Sequence, residues 1–245
     1  TLIRAYRMDP GARLGPFKGG ENELLWQLRR PYFFLWTSSA WFIEMMIHQV
    51  DECCWIKDAW PISAEGLGGC EPGSADCSQN LHTYAIEYTF PDGTKALVNS
   101  RNQPNCHNEF ATWVHGTRCA AQFSGNVHAP TVHTYSDQRC VKDNIAWRPE
   151  GEKMSPYQVE WDVLLTAIRE NRPHNEVERA GYTKLASIMG RAAIHMGRII
   201  TWDEMLASNF KFCPNLDFAM DSPSPLPADA EGRYPIPVPG KWTEV

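Results

Sequence analysis

The residues best placed to do chemistry lie in the segment WFIEMMIHQVDECCW, positions 41–55. The segment is apolar on nearly every side, so it reads as a buried helix, and each polar position on such a helix needs a reason to be there. Glu44, His48 and Asp51 stand at i, i+4 and i+7, on one stripe, which Trp41 and Trp55 extend at either end. A carboxylate one turn from an imidazole fixes its tautomer and raises its pKa, which suits general acid/base work on a hydroxyl or carbonyl. Two plainer readings share the same spacing: a satisfied Glu44–His48 pair that only packs the helix, and a stripe that faces water. The order ExxxHxxD is not the HExxH of a zinc site.

Around this helix the chain is rich in aromatic side chains: Trp26, Tyr32, Trp36, Trp41, Trp55 and Trp60. Indole and phenol faces stack on the C–H faces of sugars, so Trp26, Trp36 and Trp41 are candidate ligand contacts, with burial in the core as the alternative. Arg29 of QLRRPYFF is a candidate hydroxyl or phosphate clamp, or one member of a solvated helix face. Arg101 and Gln103 stand where a strand ends, a position that lines clefts as often as it caps turns.

Several chemistries find no support. GLGGCE, at 66–71, comes near the dinucleotide fingerprint GxGxxG, but has Glu where the last glycine belongs and runs into a polar loop. The chain has no P-loop, GxSxG or kinase signature. The eight cysteines form no CxxC or Cys/His finger, and the spacings of His107, His115, His128 and His133 fit no familiar metal triad, so no metal is expected. Cys70 and Cys77 bracket the loop EPGSAD and could close it in an oxidising compartment.

The elements that must position these groups follow from composition and periodicity. At 245 residues and 43% hydrophobic, the chain can bury a sizeable core. Its net charge of −6 with no basic block leaves no electrostatic footprint for nucleic acid or an anionic membrane. The longest apolar stretch, 40–47, is interrupted by Glu44 and falls far short of the about 20 residues that span a bilayer.

The opening LIRAYRM reads as a strand and not as a signal peptide, so the chain is expected to begin within a longer protein. A helix over 21–36, broken near Pro31, precedes one capped by Ser38 or Ser39 and ending near Lys57. Short β-rich runs follow at 62–67, 82–90, 95–100, 112–115, 120–123 and 132–135, and the turn at Pro91, Asp92 and Gly93 marks a hairpin. Two helices, 157–170 and 176–198, carry apolar residues at helical spacing. The pattern is an α+β domain over 1–213, an open, mostly antiparallel sheet with helices packed on one face, followed by a proline-rich extended tail over 214–245. Val98, Trp113, Val114, Ala121 and Phe123 are too apolar to leave both sheet faces wet, so a second subunit is expected to cover the open one.

Taken in order, IHQVDECCWIKDAWP, GTRCAAQFSG and MGRAAIHMGRIITWDEML resemble the C-terminal domain of the Gfo/Idh/MocA oxidoreductases, the glucose–fructose oxidoreductase and inositol dehydrogenase superfamily, from Leu2 to about Phe212. In that family a Rossmann half holds NAD or NADP, while the C-terminal half supplies a pocket for a small carbohydrate or polyol and a sheet that forms homo-dimers or homo-tetramers. The resemblance makes His48 the acid/base for the hydroxyl being oxidised and Asp51 the acid after it. Glu44 stands where the family has Asp. The family's Glu-Lys-Pro belongs to the Rossmann half and has no counterpart here, so this chain alone is expected to bind NAD(P) poorly and turn over slowly or not at all. The resemblance leaves the compartment open between bacterial cytoplasm and periplasm. Two other functions share these residues: an NAD-dependent glycosidase working by transient oxidation and elimination, and a stand-alone carbohydrate-binding or scaffold module.

Overall fold

A computed structural model describes residues 1–125, 131–151 and 154–245. Strand β1 (Leu2–Asp9) is followed by helix α1 (Glu23–Leu28), a 3-10 turn at Pro31–Phe33, helix α2 (Leu35–Ser38) and the long helix α3 (Ala40–Lys57). Then come strands β2 (Ser63–Gly69), β3 (Thr83–Thr89), β4 (Lys95–Asn102), β5 (Glu109–His115), β6 (Ala120–Ser124), β7 (His133–Tyr135) and β8 (Ile145–Trp147). Helices α4 (Pro156–Arg169) and α5 (Val177–Met196), the short strand β9 (Ile200–Thr201) and helix α6 (Trp202–Ala207) complete the order. The strands form one sheet, β8-β7-β6-β5-β1-β4-β3-β2-β9. Every described pairing is antiparallel except β1 with β4, where the first strand is inserted at the centre. The expected hairpin joins β3 to β4, with Gly93 supplying the positive φ of 80° that its turn requires.

Alternation along the central strands decides which face the helices cover. Ala5, Val98 and Ile86 lie side by side on β1, β4 and β3 and are buried, as are Ile3, Ala96 and Tyr88 one step along. Helix α3 lies over β1, β4 and β5, and α5 over β2 and β3. The glycines of GLGGCE belong to this packing: a Cβ on Gly66 or Gly68 would come within 3.1 or 2.7 Å of Ile194 on α5 and within 2.6 Å of β3 carbonyls. Gly190 of α5 makes room in the same way, since a Cβ there would sit 2.0 Å from the hydroxyl of Tyr88, which donates to the Ala186 carbonyl. Gly190→Ala is therefore expected to destabilise the fold by about 1–3 kcal/mol, the usual cost of overpacking a core, as read by urea unfolding. A loss below half a kcal/mol contradicts this packing.

Several elements depart from the sequence reading. The break expected near Pro31 within 21–36 is present, but it divides the segment into two short helices around a 3-10 turn, since Pro31 lacks the N–H that would continue the first. Ser39 precedes α3 in a left-handed conformation and makes no side-chain cap; the buried side chains of Gln79 and Asn80 instead accept the backbone N–H groups of Leu35 and Trp41. Helix α4 does not lie on the sheet: only Ala167 is buried, and its apolar face, with Tyr157, Trp161 and Ile168, is left exposed because no long strand runs beneath it. Val98 faces the helices and needs no second subunit. All eight cysteines are free thiols, so Cys70 and Cys77 are not joined. No described helix is long and apolar enough to cross a membrane.

Beyond α6 the described chain forms no helix or strand, yet it is firmly attached. Tyr234 packs against Phe34 and Trp26 at ring-centroid distances of 4.8 and 6.0 Å and donates its hydroxyl proton to Glu23 at 2.7 Å. Near its end, Glu244 enters a buried site on α5, accepting Arg191 Nε–H at 3.0 Å and the indole N–H of Trp242 at 2.9 Å. His195 Nδ1 lies 3.0 Å from the same carboxylate, and its Nε2 lies 3.1 Å from the Tyr84 hydroxyl.

Candidate functional site

Helix α3 is buried on one side only. Trp41, Phe42, Met46, Val50, Cys53 and Cys54 turn into the core, whereas His48 is exposed and Asp51 and Glu52 are half-buried. That outer side borders a cleft of about 1300 Å³. Its floor and walls come from His48, Asp51 and Glu52 on α3, Phe110 on β5, Gln122, Phe123 and Ser124 on β6, His133 on β7, the Arg148 to Gly151 loop, Val159 on α4, and Arg179 and Thr183 on α5. Thus α4, which covers no sheet, forms one wall of the cleft.

The two acids beside His48 are held differently. Asp51 Oδ1 accepts Arg179 Nη2–H at 3.0 Å and the Thr183 hydroxyl at 2.8 Å, so α5 fixes the carboxylate and supplies a cation. Glu52 Oε2 accepts the hydroxyls of Thr112 on β5 and, at 2.8 Å, Ser124 on β6. Burial pushes the Glu52 carboxyl above its ordinary range, with the charge of Asp51 adding to the effect and the two hydroxyls opposing it. Across the cleft, His133 Nε2 lies 2.8 Å from the Tyr135 hydroxyl. The arrangement offers an imidazole, a cation-paired carboxylate and a hydroxyl-braced carboxyl around an open volume, which suits binding a neutral polyhydroxylated ligand and moving a proton on it.

The structure thus brings His48 and Asp51 to the cleft, but leaves Glu44, one turn earlier and half-buried, outside its lining. The other sequence candidates lie elsewhere. Trp26 is buried with Phe17, Phe34 and Tyr234, and Trp36 packs on Phe218 with its indole N–H on Gln27. Trp41 belongs to the main core. Arg29 faces Glu21 at the surface, and Arg101 donates to the His107 carbonyl. The Gln103 backbone N–H donates to the Asp9 carbonyl. For Trp26 and Trp36 the physical reason is shared: the aromatic segment before α3 is occupied by the tail, so its rings close a second core. His128 lies outside the described residues. Glu52, Thr112, Ser124, Arg179 and Thr183 went unnoticed in the sequence. Glu52 could have been found, being i+4 from His48, but the others have no local signal.

Among the described residues no group of three or more His, Cys, Asp or Glu is placed to hold a metal. The glycines nearest the dinucleotide fingerprint, Gly66 and Gly68, are pressed between β3 and α5, with no room for a pyrophosphate at that point.

No protein-family model matches the sequence, and no curated protein matches it. Solved structures do match. An aldose–aldose oxidoreductase from Caulobacter crescentus aligns over 82% of this chain and 55% of its own, at 15% identity and a TM-score of 0.57. A UDP-N-acetylglucosamine 3-dehydrogenase from Acidithiobacillus ferrooxidans aligns over 79% and 53%, at 18% identity and a TM-score of 0.51. An oxidoreductase structure from Thermotoga maritima aligns over 82% and 54%, with a TM-score of 0.56. The chain therefore has the fold of the C-terminal α+β domain of the Gfo/Idh/MocA oxidoreductases, and it spans about half the length of the structures it matches.

Proposed function

We propose that this chain is the substrate-binding and assembly half of an NAD(P)-dependent oxidoreductase acting on a hydroxyl of a sugar, polyol or glycoside. The observation that carries this reading is the position of His48 on the wall of the cleft, beside two acids whose side chains are fixed by neighbouring elements. Oxidising a secondary alcohol removes a proton from oxygen and a hydride from carbon. His48 takes the proton, and Asp51 holds its stretch of α3 against α5 through Arg179 and Thr183. The nicotinamide supplies the hydride acceptor when bound. We assign the holding of the nicotinamide to a separate Rossmann half, in keeping with the match to only about half of each solved oxidoreductase structure.

The test joins this domain to such a half and follows NAD(P)H with sugars and polyols. Ketone formation with NAD(P)H is expected. Cleavage of a glycoside with no net redox change would make it the glycosidase, and binding without turnover a carbohydrate-binding module.

Assembly concerns the sheet face opposite the helices. By alternation it presents Arg4 and Tyr6 on β1, Leu97 on β4 and Glu87 on β3, with Leu67 of β2 81% exposed. A homo-dimer or homo-tetramer through this face is expected in light scattering. A stable monomer at high concentration contradicts it.

A further inference from the structure

We propose that Glu52 is a ligand-binding residue of the cleft: Thr112 and Ser124 hold one oxygen of its carboxyl, and the other takes a ligand hydroxyl beside the one served by His48. The assignment rests on the reading of the cleft as a sugar or polyol site.

Glu52 follows His48 by four residues, so the two side chains leave α3 on the same stripe, one turn apart. Both line the cleft. Thr112 and Ser124 are register partners on β5 and β6, and both hydroxyls converge on Oε2. This brace fixes the plane of the carboxyl, and among the described residues nothing bonds Oε1. Asp51, next in the chain, has its charge answered by Arg179, whereas no described cation pairs with Glu52.

A purely structural role explains this poorly. Two hydroxyls can be satisfied by backbone carbonyls, and desolvating an unpaired carboxylate to satisfy them is unfavourable. A carboxyl kept half-buried on a residue that lines an open volume, oriented from two strands and with one oxygen that no described residue bonds, is instead arranged to receive a ligand donor. A hydrogen bond from a neutral hydroxyl to a carboxylate is among the stronger ones available to a sugar site. The one-turn spacing from His48 places the two groups on neighbouring hydroxyls of one ligand.

The experiment titrates D-glucose and its 2-, 3-, 4- and 6-deoxy analogues into the full chain by NMR, for wild type, Glu52→Ala, Glu52→Gln and His48→Ala. Glu52→Ala is expected to weaken glucose binding about tenfold or more. Glu52→Gln, which keeps an acceptor for Thr112 and Ser124, weakens it less. For one deoxy analogue, the one lacking the hydroxyl that Glu52 holds, wild type and both variants bind alike. A uniform loss across all analogues, or none, overturns the assignment while leaving the His48-dependent site intact. If Glu52→Ala loses its circular dichroism signature, Glu52→Gln decides by the same comparison. A folded wild-type chain that binds none of these sugars removes the carbohydrate reading, and the role of Glu52 with it.

Discussion

Glu244→Ala is expected to lower the unfolding free energy by about 3–5 kcal/mol, the usual consequence of removing one partner from a buried ion pair. Arg191, His195 and Glu244 are 2%, 0% and 3% exposed, so the substitution strands a guanidinium in the interior. Burial alone would push the Glu244 carboxyl up. The Arg191 charge and the hydrogen bonds from His195 and Arg191 outweigh it and bring the pKa to about 2, below the ordinary 4.5. A carboxyl held low in the folded state contributes stability that is complete above about pH 4.5 and fades as the pH falls toward 2. His195 acts in the same sense: burial lowers its pKa against the opposing pull of Glu244, and in the neutral ring Nδ1–H donates to Glu244 while Nε2 accepts the Tyr84 hydroxyl. Urea unfolding of wild type between pH 7 and pH 3 should therefore show an acid-side loss that is smaller in Glu244→Gln. Replacing the pair together, Arg191→Met with Glu244→Leu, should restore much of what Glu244→Ala loses, because no charge is then left buried. Equal stability of Glu244→Ala and wild type would mean that the tail does not anchor α5.

Under the proposed function, His48→Ala in this domain joined to a Rossmann half is expected to lower turnover about a hundredfold, the range of general acid/base contributions, while leaving the fold unchanged because the residue is exposed. Steady-state kinetics with the preferred substrate check this, with circular dichroism as the control for folding. The loss should fall on kcat more than on KM, since the imidazole acts on the proton being transferred. Turnover within twofold of wild type would remove His48 from the chemistry. Glu44→Ala is the internal comparison: it shares the stripe but not the cleft lining, and should have the smaller effect.

The parts of this fold that could be read from sequence are those with a local cause. The hairpin at Asp92 and Gly93, the alternation along β3 and β4 and the length of α3 each follow from residues adjacent in the chain. The parallel pairing of β1 with β4 was not legible, because nothing near Leu2 specifies a partner at Lys95. The two-residue strand β9 carries too little pattern to read. At the cleft, the i, i+4, i+7 spacing pointed to the side of α3 that carries His48 and Asp51 and borders the open volume. It could not separate Asp51, which faces the cleft, from Glu44, which does not, since that depends on where α5 and β6 lie. Trp26 shows the limit most clearly. An indole that stacks on a sugar and one that closes a core look alike in sequence, and the residue that settles the matter, Tyr234, arrives from the far end of the chain. The Arg191–Glu244 pair is hidden for the same reason, its members being 53 residues apart.

The central claim is that the cleft beside His48 is where a polyol binds. Backbone and side-chain NMR of the full chain, followed residue by residue during addition of D-glucose, tests it most directly. Shifts are expected to concentrate on His48, Asp51, Glu52, Ser124 and Thr183, saturating together with one affinity. Shifts gathered on the aromatic cluster around Trp26 and Trp36, with the His48 signals unmoved, would contradict it.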